Sequence, residues 1–166
     1  REGVDIVFAL DVSKSMLVED IAPNRLDKSK QIITQIVNNL SGDRVGIIGY
    51  AGSAFPQVPI TTDFSTVKLF LNNMHTDMVS SQGTAIAEAI ELAQSFYDDE
   101  GQQNRILFLL TDGEDHGGNI QRLSEEAAKK NIRIYPIGIG TVDGGLIIRP
   151  QHGSFYFLAD LIIDLD

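Results

Sequence analysis

Residues 4–15, VDIVFALDVSKS, decide how this chain is read. The first seven are almost continuously apolar and rich in β-branched side chains, too short for a helix and too uniformly apolar for a strand with one wet face. They read as a strand buried on both sides, as in parallel sheets. Runs at 44–50, 105–110 and 132–139 share this character. Helical patterns lie between them. The first covers 25–40, with Leu26, Ile33, Ile36, Val37 and Leu40 near a 3.6-residue period. Others fall at 64–74, at 84–97 with Ile86, Ala89, Ile90, Ala93 and Phe96 on one face, and at 120–130. Strands alternating with helices predict an α/β fold, a doubly wound and mainly parallel sheet with helices on both faces. Residues 54–60 contain Pro56 and Pro59, which cannot donate to a ladder, so this run is predicted to be an antiparallel edge strand reached through a Gly52-Ser53 turn.

A length of 166 residues predicts one domain over 1–166. Residues 146–166 are its least defined part, with a candidate closing strand at 154–159 and no assigned role. A net charge of −10, from 23 acids and 13 bases with no basic cluster, excludes nucleic acid and anionic lipid as partners. The absence of cysteine excludes disulfides, thiolate metal sites and cysteine nucleophiles. No run approaches the ~20 apolar residues that cross a bilayer, and Arg1 and Glu2 do not begin a signal peptide. The sequence reads as a soluble domain of the sort cut from an anchored protein.

In an open α/β sheet, ligands bind beyond the carboxyl ends of the strands, so the residues that follow each strand carry the chemistry. After the first strand, Asp11, Ser13 and Ser15 alternate along one loop. After the 105–110 strand comes Thr111-Asp112-Gly113, with Asp112 expected at the position matching Asp11. Gly83-Thr84 is expected to open the third helix with the Thr84 hydroxyl at its start. Taken singly, these residues are ordinary turn and cap residues. Together they place two carboxylates and three hydroxyls at one end of the sheet. An all-oxygen set of this kind suits Mg²⁺ or Mn²⁺, hard cations that favour octahedral oxygen ligands and keep several waters.

The motif Asp11-x-Ser13-x-Ser15, followed by Thr84 and by Thr111-Asp112-Gly113, resembles the metal-ion-dependent adhesion site (MIDAS) of von Willebrand factor A (VWA) domains, over roughly residues 3–141. The resemblance implies a Rossmann-like sheet and a Mg²⁺ or Mn²⁺ held by Ser13, Ser15 and often Thr84, with Asp11 and Asp112 acting through water. It further implies an Asp or Glu of a protein partner completing the coordination. Lys14, Gly52, Ser53, Ser81, Gln82, Glu114 and His116 would form the partner-binding rim. Many VWA domains have glycine where this chain has Lys14, so metal affinity is expected to suffer unless that side chain points to solvent.

Three further stretches, MLVEDIAPNRL (16–26), RVGIIGYAGSA (44–54) and PITTDFSTVKLFL (59–71), are similar to the Bat aerotolerance-associated VWA proteins of bacteria. The segment after Gly145 departs from their pattern. That similarity implies a domain flanked by inner-membrane helices, on the periplasmic side. It also implies a MoxR-type AAA+ ATPase or other Bat proteins as partners.

The expected role is therefore cation-dependent protein binding and not catalysis. The alternative is a Mg²⁺-dependent phosphohydrolase on the same oxygens, which needs a general base within reach of a metal-bound water. His75, His116 and His152 are isolated, and neither a phosphate loop nor a nucleophile elbow is present. A third reading, a purely structural domain, predicts that divalent cations leave its melting temperature unchanged.

Overall fold

In the computed structural model the described residues are 3–97, 104–112 and 120–140. Their strands are β1 (Asp5–Asp11), β2 (Arg44–Tyr50), β3 (Ala54–Thr61), β4 (Arg105–Thr111) and β5 (Ile132–Gly138). The helices are α1 (Arg25–Asn38), α2 (Phe64–Asn72), α3 (Ile86–Gln94) and α4 (Ile120–Lys129), with short 3-10 turns at Lys14–Leu17 and Thr76–Met78. The sheet order is β3-β2-β1-β4-β5. β1 runs parallel to both of its neighbours, β4 parallel to β5, and β3 antiparallel to β2. This is the predicted fold class, with the proline-bearing strand at an edge.

Every residue of β1 is buried, and its alternation divides two cores. Ile6, Phe8 and Leu10 join Leu26, Ile33 and Val37 of α1 and Val67 and Leu71 of α2. Val7 and Ala9 join Ile86, Ile90 and Ala93 of α3 and Leu123 and Ala127 of α4. A central strand covered by helices on both faces needs apolar side chains at every position, which is why period-2 patterning is missing from the sequence.

Two expectations change. The third helix begins at Ile86 and not at Thr84, with Ala85 in the N-cap position and no side-chain cap. The cause is a long-range bond: the Ala85 N–H donates to the Ala51 carbonyl at 2.7 Å and holds the preceding loop off the helix path. Asp112 also does not match Asp11. With Leu10 opposite Leu110, the register brings Thr111 beside Asp11 and leaves Asp112 one residue beyond. The rim candidates Glu114 and His116 and the segment 146–166 lie outside the described residues.

Candidate metal centre

β1 and β4 are parallel neighbours, so their carboxyl ends lie side by side, and Asp112 beyond β4 stands next to the loop that follows β1. Asp11 ends β1 fully buried. Its Oδ1 accepts the Ser13 N–H at 2.9 Å and its Oδ2 accepts the Thr111 hydroxyl at 3.2 Å. The first bond folds the loop back so that Ser13 and Ser15 present their hydroxyls together, 2.9 Å apart. The Ser15 hydroxyl donates to Asp112 Oδ1 at 3.1 Å. Four of the five predicted ligands thus form one hydrogen-bonded chain drawn from two loops.

The 3-10 turn Lys14–Leu17 is anchored by Met16, which is fully buried. Beside it the Lys14 N–H donates to Gln82 Oε1 at 3.2 Å, and the Lys14 residue is exposed, as a metal-compatible arrangement requires. Thr84 does not join the chain of hydrogen bonds, but its loop is tied to the site. The Gly52 N–H donates to the Ser81 carbonyl at 3.0 Å. A Cβ on Gly52 would stand 2.7 Å from that carbonyl oxygen, so glycine is what lets the two loops approach. Gly83, at φ +138°, lies on the same contact. Of the predicted rim, Ser81 and Gln82 are exposed and Gly52 and Ser53 half-buried.

Among the described residues no group of three or more His, Cys, Asp or Glu side chains is poised to hold a metal, so a cation here depends on the hydroxyls. Their spacing fits one. Neighbouring oxygens around an octahedral ion with ~2.1 Å bonds stand about 3.0 Å apart. The Ser13–Ser15 separation of 2.9 Å matches that edge, and the Asp112 carboxylate, 3.1 Å from the Ser15 hydroxyl, stands behind it. The charges also fit. Burial pushes the Asp11 carboxyl up to about 6, against the lowering effect of its bonds to Ser13, and the Asp112 charge raises it further. Holding Asp11 ionised at neutral pH therefore opposes folding by an amount on the order of 3 kcal/mol, which a bound cation would relieve.

The structure adds residues that the sequence reading did not assign. Thr111 supplies a hydroxyl to Asp11. Arg25, 6% exposed, donates through Nη1 to Asp112 Oδ2 at 3.0 Å. Through Nε and Nη2 it grips Asp20 at 2.8 and 2.9 Å. One signal was legible: Arg25 opens α1, where a cation opposes the helix dipole, and such a residue calls for acidic partners. Leu17 and Val18, about half exposed, follow Ser15 after the buried Met16 and give the rim an apolar margin.

A model of the von Willebrand factor type A domain matches residues 5–149, and the chain belongs to that family. Within it, the chain is similar to the protein BatB from Bacteroides thetaiotaomicron, 41% identical with a TM-score of 0.82 over 93% of this chain and 75% of that one. It is also similar to an aerotolerance-related membrane protein from Bacteroides fragilis, studied with multiple mutations to serines, 36% identical with a TM-score of 0.81 over 93% and 76% of the two chains. A third likeness is to proximal thread matrix protein 1 of the mussel byssus, whose MIDAS motif is occupied by zinc. The two are 26% identical, with a TM-score of 0.71 over 84% of this chain and 36% of that one. The chain spans half or less of the length of the curated relatives it matches. No helix among the described residues is long and apolar enough to cross a membrane.

Proposed function

We propose that this domain binds Mg²⁺ or Mn²⁺ at Ser13, Ser15 and Thr84, with Asp11 and Asp112 behind them, and uses it to bind an acidic side chain of a protein partner. The observation that carries this reading is the pairing of the Ser13 and Ser15 hydroxyls, 2.9 Å apart as on an octahedral edge, with Asp112 Oδ1 holding Ser15 from behind at 3.1 Å. A bound cation would supply an electrophilic position open to a carboxylate, because neutral hydroxyls leave most of its charge unspent. Asp11 holds Ser13 in place and Asp112 holds Ser15. Exposed Lys14 adds attraction for an acid, and Leu17 and Val18 offer contact to an apolar residue beside it. The role is binding without catalysis: Asp11 and Asp112 are both engaged as acceptors by Ser13, Thr111, Ser15 and Arg25. The likeness to an aerotolerance-related membrane protein supports a setting at a bacterial membrane; the inner membrane, the periplasmic side, and other Bat proteins or a MoxR-type AAA+ ATPase as the partner are part of this proposal.

A displayed random peptide library selected on the domain in Mg²⁺ and eluted with EDTA tests this reading. The recovered sequences should carry Asp or Glu with an apolar neighbour. Recovery of sequences without an acid, or binding that survives EDTA, would contradict it.

The charge state of Asp11 gives a pH dependence. Its folded value of about 6 lies above the ordinary 3.8, so between these the folded state holds the extra proton. In EDTA this carboxyl favours the fold at low pH, and that contribution fades as the pH rises through about 6. A cation competes with the same proton, so Mg²⁺ affinity should rise toward pH 7 and fall about tenfold per pH unit well below 6. Titration calorimetry at pH 5, 6 and 7 checks both the trend and the proton released on binding.

A further inference from the structure

Asp112 divides its two oxygens: Oδ1 receives the Ser15 hydroxyl at 3.1 Å, and Oδ2 receives Arg25 Nη1 at 3.0 Å. Arg25 is itself fixed from the other side, its Nε and Nη2 set on Asp20 Oδ1 and Oδ2 at 2.8 and 2.9 Å. Its main chain is held as well, with its N–H donating to the Val18 carbonyl at 3.0 Å and its carbonyl accepting the Ser29 hydroxyl at 2.8 Å. A guanidinium buried to this degree at the start of a helix works against both desolvation and the helix dipole. Two carboxylates offset that, and the planar fork fixes the direction of each, which an ammonium group would not do.

We propose that Arg25, anchored by Asp20, is a positioning residue for the cation site, turning Asp112 so that Oδ1 faces Ser15. The proposal rests on the cation reading given under Proposed function. Two effects of Arg25 have opposite signs. As a nearby positive charge it would repel a cation, whereas as a clamp on a ligand-side carboxylate it would strengthen binding. Outer-layer partners of metal ligands are typically worth 10–100-fold in affinity. Asp20 is part of the same device, because it holds two of the fork's three nitrogens, Nε and Nη2.

The test is Mg²⁺ affinity by titration calorimetry on wild type, Arg25→Lys, Asp20→Asn and the double variant, with metal-free melting temperatures in EDTA alongside. Arg25→Lys keeps the charge and loses the fork, so a clamp predicts about tenfold weaker binding and simple charge repulsion predicts no change. Asp20→Asn should weaken binding in the wild-type background and have little further effect on Arg25→Lys, since Asp20 acts through the fork. A merely structural role would lower the metal-free melting temperature and leave the affinity of the folded protein unchanged. Wild-type affinity in both single variants, or independent additive effects, would overturn the clamp while leaving the cation reading standing. Absence of Mg²⁺ and Mn²⁺ binding by the wild type would overturn both. If Arg25→Lys does not fold, Asp20→Asn decides alone, weakened binding supporting the proposal and unchanged binding overturning it.

Discussion

Asp11→Asn is expected to bind Mg²⁺ about 100-fold or more weakly than the wild type and, in EDTA at pH 7, to melt at the same temperature or higher. The two halves of this result have one cause. Asp11 is fully buried, and its ionised form is disfavoured there, as its rise to about 6 records. The amide keeps the shape and an acceptor for the Ser13 N–H, and the Thr111 hydroxyl can turn to accept from the new NH₂. What disappears is the negative charge that the cation needs, a loss at the upper end of or beyond the 10–100-fold typical of outer-layer partners. Asp11→Ala is a less clean variant. It leaves the Ser13 N–H and the Thr111 hydroxyl without this acceptor in a buried place, at about 1–3 kcal/mol each, and so mixes loss of fold with loss of site. Calorimetric Mg²⁺ titration together with thermal melting separates the two. An Asn variant that keeps wild-type affinity would remove Asp11 from the site.

Mg²⁺ at 100 times its Kd should raise the melting temperature of the wild type by about 5–10 °C. A ligand that binds the folded state alone stabilises by about 2.7 kcal/mol at that concentration, and in a domain of this size each kcal/mol is worth about 2–4 °C. The same addition should leave Asp11→Asn within about 2 °C, because at 100-fold weaker affinity the ion only half-fills the site and contributes about 0.4 kcal/mol. A purely structural domain would show no shift in either protein. Scanning fluorimetry across a Mg²⁺ series, with Na⁺ matched for ionic strength, distinguishes these outcomes.

Most of the scaffold was legible because its central strands are buried on both faces and its helices on one. Continuous apolar runs such as 4–10 and periodic ones such as 25–40 report those environments directly. Asp11, Ser13 and Ser15 were legible for a local reason: three oxygens on alternate residues after such a strand share a direction. What failed depended on partners distant in sequence. The start of α3 is set by a bond from Ala85 to Ala51, across 34 residues, and the pairing of Thr111 with Asp11 follows from the β1–β4 register. Arg25 reaches Asp112 across 87 residues. Its cation at a helix N-terminus was a local conflict, but nothing nearby named Asp112 as part of the answer.

The central claim is that Ser13, Ser15 and Thr84, backed by Asp11 and Asp112, hold a divalent cation. A crystal structure of the domain grown in Mn²⁺, read by its anomalous signal, tests it most directly. A peak bonded to the Ser13 and Ser15 hydroxyl oxygens at about 2.1–2.2 Å is expected, in octahedral geometry, with a position left for a carboxylate or water. A crevice with no peak at saturating Mn²⁺, or a peak bound elsewhere while Ser13 and Ser15 keep their mutual hydrogen bond, would contradict it.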